Sequence, residues 1–232
     1  MHVVITGASR GIGKTIAEHF AREGANLLLC ARSMDQTASW QQALMDRYGI
    51  TITSFNADLG KEEDVKSFAA QLIHAAPSID ILINNAGSYV PGSVWNEPEG
   101  QLTEMLQVNL LSAYHLTRAL VPGMINKQSG HIFNMASVAS FMAYPNGGSY
   151  SISKYALAGF SKNLREELKT HQIKVTTIYP GATMTSSWEK SGVDPKRLME
   201  ADDVAAMIVA ASKLSHQACV EDIILRPQLG DL

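Results

Sequence analysis

Short apolar runs recur along the chain, each followed by a longer amphipathic stretch. The runs are HVVIT from His2, NLLLCA from Asn26, ITITSFN from Ile50, IDILIN from Ile79, HIFNMA from His131, IKVTTIY from Ile173 and DIILRP from Asp222. Most are apolar on both faces, as strands inside a parallel sheet are. Stretches between them, such as GKTIAEHFAREG from Gly13 and LTEMLQVNLLSAYHLTRALVPGM from Leu102, carry helical patterns. Strand, helix, strand, repeated, predicts an α/β fold. It is a doubly wound parallel sheet of about seven strands with right-handed crossovers and helices on both faces. Ligands of such sheets bind beyond the carboxyl ends of the strands, so chemistry is expected just after each apolar run.

The chain has 232 residues and is 46% hydrophobic, enough for one sizeable core. The length allows one large domain or two small ones, and with no linker, low-complexity segment or short-period repeat, residues 1–232 are expected to form one domain. Charged residues make up 18%, which argues against disorder. A net charge of -3 gives no basic field to attract nucleic acid or an anionic membrane, and neither is expected as a partner. The two cysteines, Cys30 and Cys219, sit in or near apolar runs, so a disulfide framework is not expected. The opening MHVVITGASRG has no charged segment followed by a long apolar one, and no run approaches a membrane span; the expectation is a cytoplasmic protein. His171 and the other histidines show no ligand spacing, so no metal is expected.

The first strand runs into TGASRGIG, Thr6 to Gly13, with Gly7, Gly11 and Gly13 spaced G-x-x-x-G-x-G. Glycines let backbone approach a pyrophosphate closely, and the following helix offers free N–H groups to it. Such a turn is also compatible with a plain connection. NAD-binding units carry an acidic residue about 20 residues beyond the glycines, for the ribose hydroxyl. Here the second strand ends CARS, with Arg32 in that neighbourhood and Arg10 inside the turn. Two guanidinium groups suit a 2′-phosphate, so NADP(H) is favoured over NAD(H); the alternative is that both are merely solvated.

Tyr150 and Lys154 stand four positions apart in SYSISKYALAGF, Ser149 to Phe160. On a helix they share a side. The segment alone does not decide between a surface pair and a proton-transfer couple. In order along the chain come TGASRGIG, NNAG (Asn84 to Gly87), Asn109, Ser137, YSISK (Tyr150 to Lys154) and PGATMT (Pro180 to Thr185). This set resembles the compact, single-domain branch of the short-chain dehydrogenases/reductases, over essentially the whole chain. The resemblance implies a Rossmann-type sheet. It implies that Tyr150 is the catalytic acid/base, Lys154 its helper, Ser137 the holder of the substrate carbonyl, and Asn109 the support of a water chain to Lys154. For the cofactor it implies Gly7, Ser9, Arg10, Gly11, Ile12 and Gly13 in the turn, with Arg32 after it. Asp58 and Leu59 would flank adenine, and Asn84, Ala86 and Gly87 the ribose. Tyr150, Lys154, Pro180, Gly181, Thr183 and Thr185 would complete the nicotinamide end. In isolation Ser137 is equally a strand-end serine, and Asn109 a packing residue.

A free phenol titrates near ~10, and a neighbouring ammonium is expected to lower that value. In the reductive direction Tyr150 would donate a proton to the carbonyl oxygen as hydride arrives from the cofactor, with Ser137 giving a second hydrogen bond. The expected function is an NADPH-dependent reductase of a small, partly apolar ketone. Alternatives are a 3-oxoacyl-[acyl-carrier-protein] reductase, an NAD-dependent alcohol dehydrogenase, or a non-catalytic nucleotide sensor. Lys127, His171 and Lys174 offer positive charge where acyl-carrier readers have it, but no arginine pair stands there. Met142, Met184 and Met199, with Trp95 and Trp188, are ordinarily core residues, yet two of the methionines and Trp188 fall near the presumed site, as an adaptable apolar pocket would have them. TMTSSWEKSGVDPKRLMEADD after Pro180 is expected to be a mobile substrate lid, and the tail after Arg226 looks too short to cap the pocket. By the same resemblance, the helices near Leu102 and Tyr150 pair two copies into a homodimer or homotetramer.

Overall fold

A computed structural model describes residues 1–76, 78–185, 188 and 192–231. Strands β1 (His2–Thr6), β2 (Asn26–Ala31), β3 (Ile52–Asn56), β4 (Ile81–Asn84), β5 (Gly130–Met135), β6 (Ile173–Pro180) and β7 (Asp222–Leu225) form one sheet, ordered β3-β2-β1-β4-β5-β6-β7. Every pairing is parallel, from Val3 opposite Leu27 and Ile81 to Ile178 opposite Met135 and Ile223. The order reverses between β1 and β4, which opens a crevice at their carboxyl ends. All the apolar runs became strands. The third starts two residues late, at Ile52: Thr51 N–H donates to the Asn26 side chain at the start of β2 at 2.9 Å, while its carbonyl accepts from Leu27 N–H at 2.9 Å.

The helices are α1 (Gly11–Arg22), α2 (Ala38–Tyr48), α3 (Glu62–Ala75), α4 (Gln101–Leu106), α5 (Ser112–Lys127), α6 (Gly148–Leu168) and α7 (Ala201–Ser212). The strand pleat divides the core into two layers. Val3 and Ile5 face one layer, with Ile16 and Phe20 of α1 and Ile208 of α7. Val4 and Leu82 face the other, with Phe68 and Leu72 of α3, Leu116 of α5 and Leu164 of α6. Full burial of each such side chain stabilises by roughly 1.5–3 kcal/mol.

The long helix expected from Leu102 is interrupted. A wide π turn, Gln107–Leu111, joins α4 to α5 and carries Asn109 into the interior. Buried His131 stacks on Phe133 at 3.9 Å and shares a 2.7 Å hydrogen bond with Thr176; burial pushes its pKa down to about 3. Cys30 and Cys219 are free thiols. Among the described residues, no helix is long and apolar enough to cross a membrane, and no three His, Cys, Asp or Glu side chains gather as metal ligands would.

Candidate active site

The turn after β1 is held from across the crevice. Thr6 Oγ1 accepts from the backbone N–H groups of Asn85 at 3.0 Å and Ala86 at 2.9 Å. The Asn85 side chain donates back to the carbonyls of Thr6 at 2.8 Å and Gly7 at 3.3 Å. Gly7 and Gly11 adopt φ of +66° and +55°, which side chains resist. A Cβ on Gly13 would lie 2.3 Å from the Gly7 carbonyl oxygen and 2.5 Å from Asn85 Nδ2, so nothing larger fits. The first turn of α1 holds no acidic residue, and Arg10, extended at its N-cap, makes no side-chain cap bond. Open N–H groups, a positive dipole end and a glycine-lined approach together fit a dinucleotide pyrophosphate.

Arg10 and Arg32 are exposed at adjoining carboxyl ends, and neither has an ion-pair partner among the described residues. Beyond β3, Asp58 donates its N–H to Asp64 at 2.9 Å and accepts from Gly60 at 3.1 Å, beside buried Leu59. Asn84 lies elsewhere: its buried amide donates to Thr117 at 3.0 Å and Asn134 at 2.8 Å. The side chain that reaches the glycine turn is that of its neighbour Asn85, which sequence reasoning did not single out.

Ser137, Tyr150, Lys154 and Asn109 converge from three segments. Ser137 follows β5 in extended conformation and caps the next turn, accepting from Ala139 N–H at 3.2 Å. Its hydroxyl is close enough to Tyr150 to favour the phenolate. Lys154 is buried, its Nζ donating to the Met135 carbonyl at 2.7 Å, and burial pulls its pKa down to about 8. Asn109 accepts from Ser88 N–H at 2.8 Å and donates to Ser88 O at 3.0 Å and Ser153 Oγ at 2.9 Å. Ser153 in turn donates to the Tyr150 carbonyl at 2.7 Å. A Cβ on Gly87 would lie 3.1 Å from Asn109 Oδ1 and 3.5 Å from Lys154 Nζ, so this glycine keeps the space between them open.

One expectation needs correcting. In the protein alone the Tyr150 phenol is raised, not lowered: burial and the nearby Tyr89 outweigh the help of Ser137. Lys154 does little for it because its ammonium is turned to Met135 and is itself disfavoured by burial.

A cleft of about 570 Å³ joins these parts. Gly87, Ser137, Tyr150 and Lys154 line it, with Ile12 of the glycine turn and Pro180, Gly181, Thr183 and Thr185 after β6. Thr183 is fixed by bonding the Gly181 carbonyl at 3.0 Å and by bridging to Met199. Met142 and Trp188 line the cleft too, whereas Trp95 is 85% exposed and belongs to no core. The tail does reach the cleft: Asp231 lines it, paired with Arg226. The expected lid includes residues 186, 187 and 189–191, which lie outside the described residues. Lys127 and Lys174 are engaged at the far, amino-terminal edge of the sheet, on the carbonyls of Ile79 at 2.5 Å and Ser215 at 2.7 Å.

Residues 1–196 match the family described as short chain dehydrogenase. A sepiapterin reductase of Chlorobaculum tepidum is 31% identical over 99% of this chain and 97% of its own. An alcohol dehydrogenase from the archaeon Thermococcus sibiricus, complexed with 5-hydroxy-NADP, has a TM-score of 0.91 at 28% identity, covering 98% of this chain and 96% of that one. L-sorbose reductase from Gluconobacter frateurii, complexed with NADPH and L-sorbose, has a TM-score of 0.88 at 27% identity, covering 97% and 94%.

Proposed function

The chain belongs to the short-chain dehydrogenase/reductase family of oxidoreductases, and from that premise we propose that it is an NADPH-dependent reductase of uncharged ketones, acting as one catalytic domain over residues 1–232. The observation that carries this reading is the single cleft in which Ser137, Tyr150 and buried Lys154 meet the glycine-turn side at Ile12. Gly7, Ser9, Arg10, Gly11, Ile12, Gly13, Arg32, Asp58, Leu59, Ala86 and Gly87 would hold the nucleotide, with Pro180, Gly181, Thr183 and Thr185 at its nicotinamide end. Asn85, rather than the Asn84 side chain, would support the turn. The bound cofactor would supply the hydride.

The protein's own part is the proton and the oxygen. Tyr150, held protonated by burial, is set to donate to the carbonyl oxygen as negative charge grows there. Ser137 offers that oxygen a second hydrogen bond. Lys154 holds its ammonium 5.8 Å from the centre of the Tyr150 ring, and Asn109 positions α6 through Ser88 and Ser153. A raised phenol is protonated near neutrality, the form that reduction uses. The commitment of Lys127 and Lys174 to backbone carbonyls argues against acyl-carrier recognition through them.

Tyr150→Phe tests the mechanism. Turnover should fall by about a hundredfold or more while NADPH affinity holds; an active Phe variant would end this reading. Cofactor choice is tested by titration. NADPH should bind more tightly than NADH, and Arg32→Asp should reverse that order. An unchanged order would mean that the 2′-phosphate lies elsewhere.

A further inference from the structure

The substrate side of the cleft is aromatic among the described residues. Tyr89, Met142, Tyr144 and Trp188 line it together with Tyr150. Tyr89 meets the Tyr150 ring edge-on, with centroids 4.9 Å apart and planes at 83°. Yet Tyr89 is 50% and Tyr144 40% exposed, so each ring has an open surface beside the reacting phenol. Neither is a core residue, and neither belongs to the proton-transfer set.

These rings are built in. Their two segments are tied to each other and to α6. Gly92 N–H donates to the Asn146 carbonyl at 3.1 Å, and Ser93 Oγ to Asn146 Oδ1 at 2.8 Å. Glu97 accepts from Ser149 N–H at 3.1 Å, at the start of the helix that carries Tyr150. At Gly148, with φ of +39°, a Cβ would lie 2.3 Å from the Gly92 carbonyl oxygen, so the two segments approach as closely as backbone allows. Tyr89 and Tyr144 therefore keep their register with the proton donor.

The charge pattern narrows the ligand. Lys154 and Asp231 are the charged side chains among the described residues lining the cleft. Lys154 is bonded to Met135, and Asp231 to Arg226. Among the described residues lining the cleft, a carboxylate or phosphate on the substrate would find no free cation. Aromatic rings with polar tips favour a flat, polarisable, neutral partner.

We propose that Tyr89 and Tyr144 form an aromatic clamp that selects uncharged aryl or heteroaryl ketones, with the planar ring beside the reacting carbonyl. This rests on the reductase reading above. It adds two specificity-determining residues and a substrate class.

The test follows NADPH oxidation with three probes of similar size: acetophenone, cyclohexyl methyl ketone and 4-acetylbenzoate. Acetophenone should exceed each of the others in kcat/KM by about tenfold. Tyr144→Leu should remove that advantage by raising KM for acetophenone, leaving kcat and NADPH affinity in place. Tyr144→Phe, which keeps the ring, should retain the advantage. Equal kcat/KM for the aryl and cyclohexyl ketones, or an advantage that survives in Tyr144→Leu, overturns the clamp and leaves the reductase reading standing. No NADPH oxidation with any probe overturns the reductase reading itself.

Discussion

Lys154 shows how much one buried side chain sets the chemistry around it. Burial lowers its pKa to about 8, so it begins to lose its proton well before an ordinary lysine at 10.5. The Tyr150 phenol is shifted oppositely, upward from its ordinary value, mainly through burial. Reductive kcat/KM is therefore expected to fall as pH rises past about 8, and a profile flat to pH 10 would remove Lys154 from the mechanism. Stability moves the other way. Between about pH 8 and 10.5 the unfolded chain binds more protons at this residue than the folded one, so the lysine's contribution to folding improves as pH rises. The pair was legible in the sequence through its company, the glycine turn, Asn109 and Ser137 in order before it, since the four-residue spacing by itself says only that the two share a helix side. The sign of the phenol's shift was not, since it depends on where the ammonium points. Nor was Asn85: its task is to reach carbonyls 78 and 79 residues away, which no local pattern encodes. Tyr89 and Tyr144 sit in loops, where no periodicity distinguishes a site residue from a surface one.

At the scale of elements, the strands were legible because burial on both faces leaves an unbroken β-branched or leucine-rich run. The π turn was not, because QVNLL continues the helical pattern around it. Its wider backbone is what brings Asn109 against Ser88 and Ser153. The junction of β1, α1 and β4 is a tight element contact of the site. Gly13→Ala would force a methyl against the Gly7 carbonyl at 2.3 Å. The turn must then shift, and NADPH affinity should drop by about tenfold or more, with a melting temperature several degrees lower. A variant that binds and melts like the wild type would show that the turn is not a fitted cradle.

For the whole molecule, α5 and α6 meet through Tyr114 and Phe160, with ring centroids 5.6 Å apart, and α6 exposes Ile152 and Tyr155 near bare Gly159. We propose this face as the place where two copies pair, in a homodimer or a homotetramer. Light scattering should give at least twice the 25.2 kDa chain mass, and a monomer at micromolar concentration would refute it. The order of the strands has a different consequence, for synthesis. The glycine turn is made first, but it waits for Asn85, whose bond to Thr6 spans 79 residues. At about 5–20 residues per second a ribosome takes several seconds to supply it. The glycine turn thus gains its final shape only after Asn85 has been made. A nascent chain stopped before that asparagine carries no half-built cradle for a nucleotide to occupy.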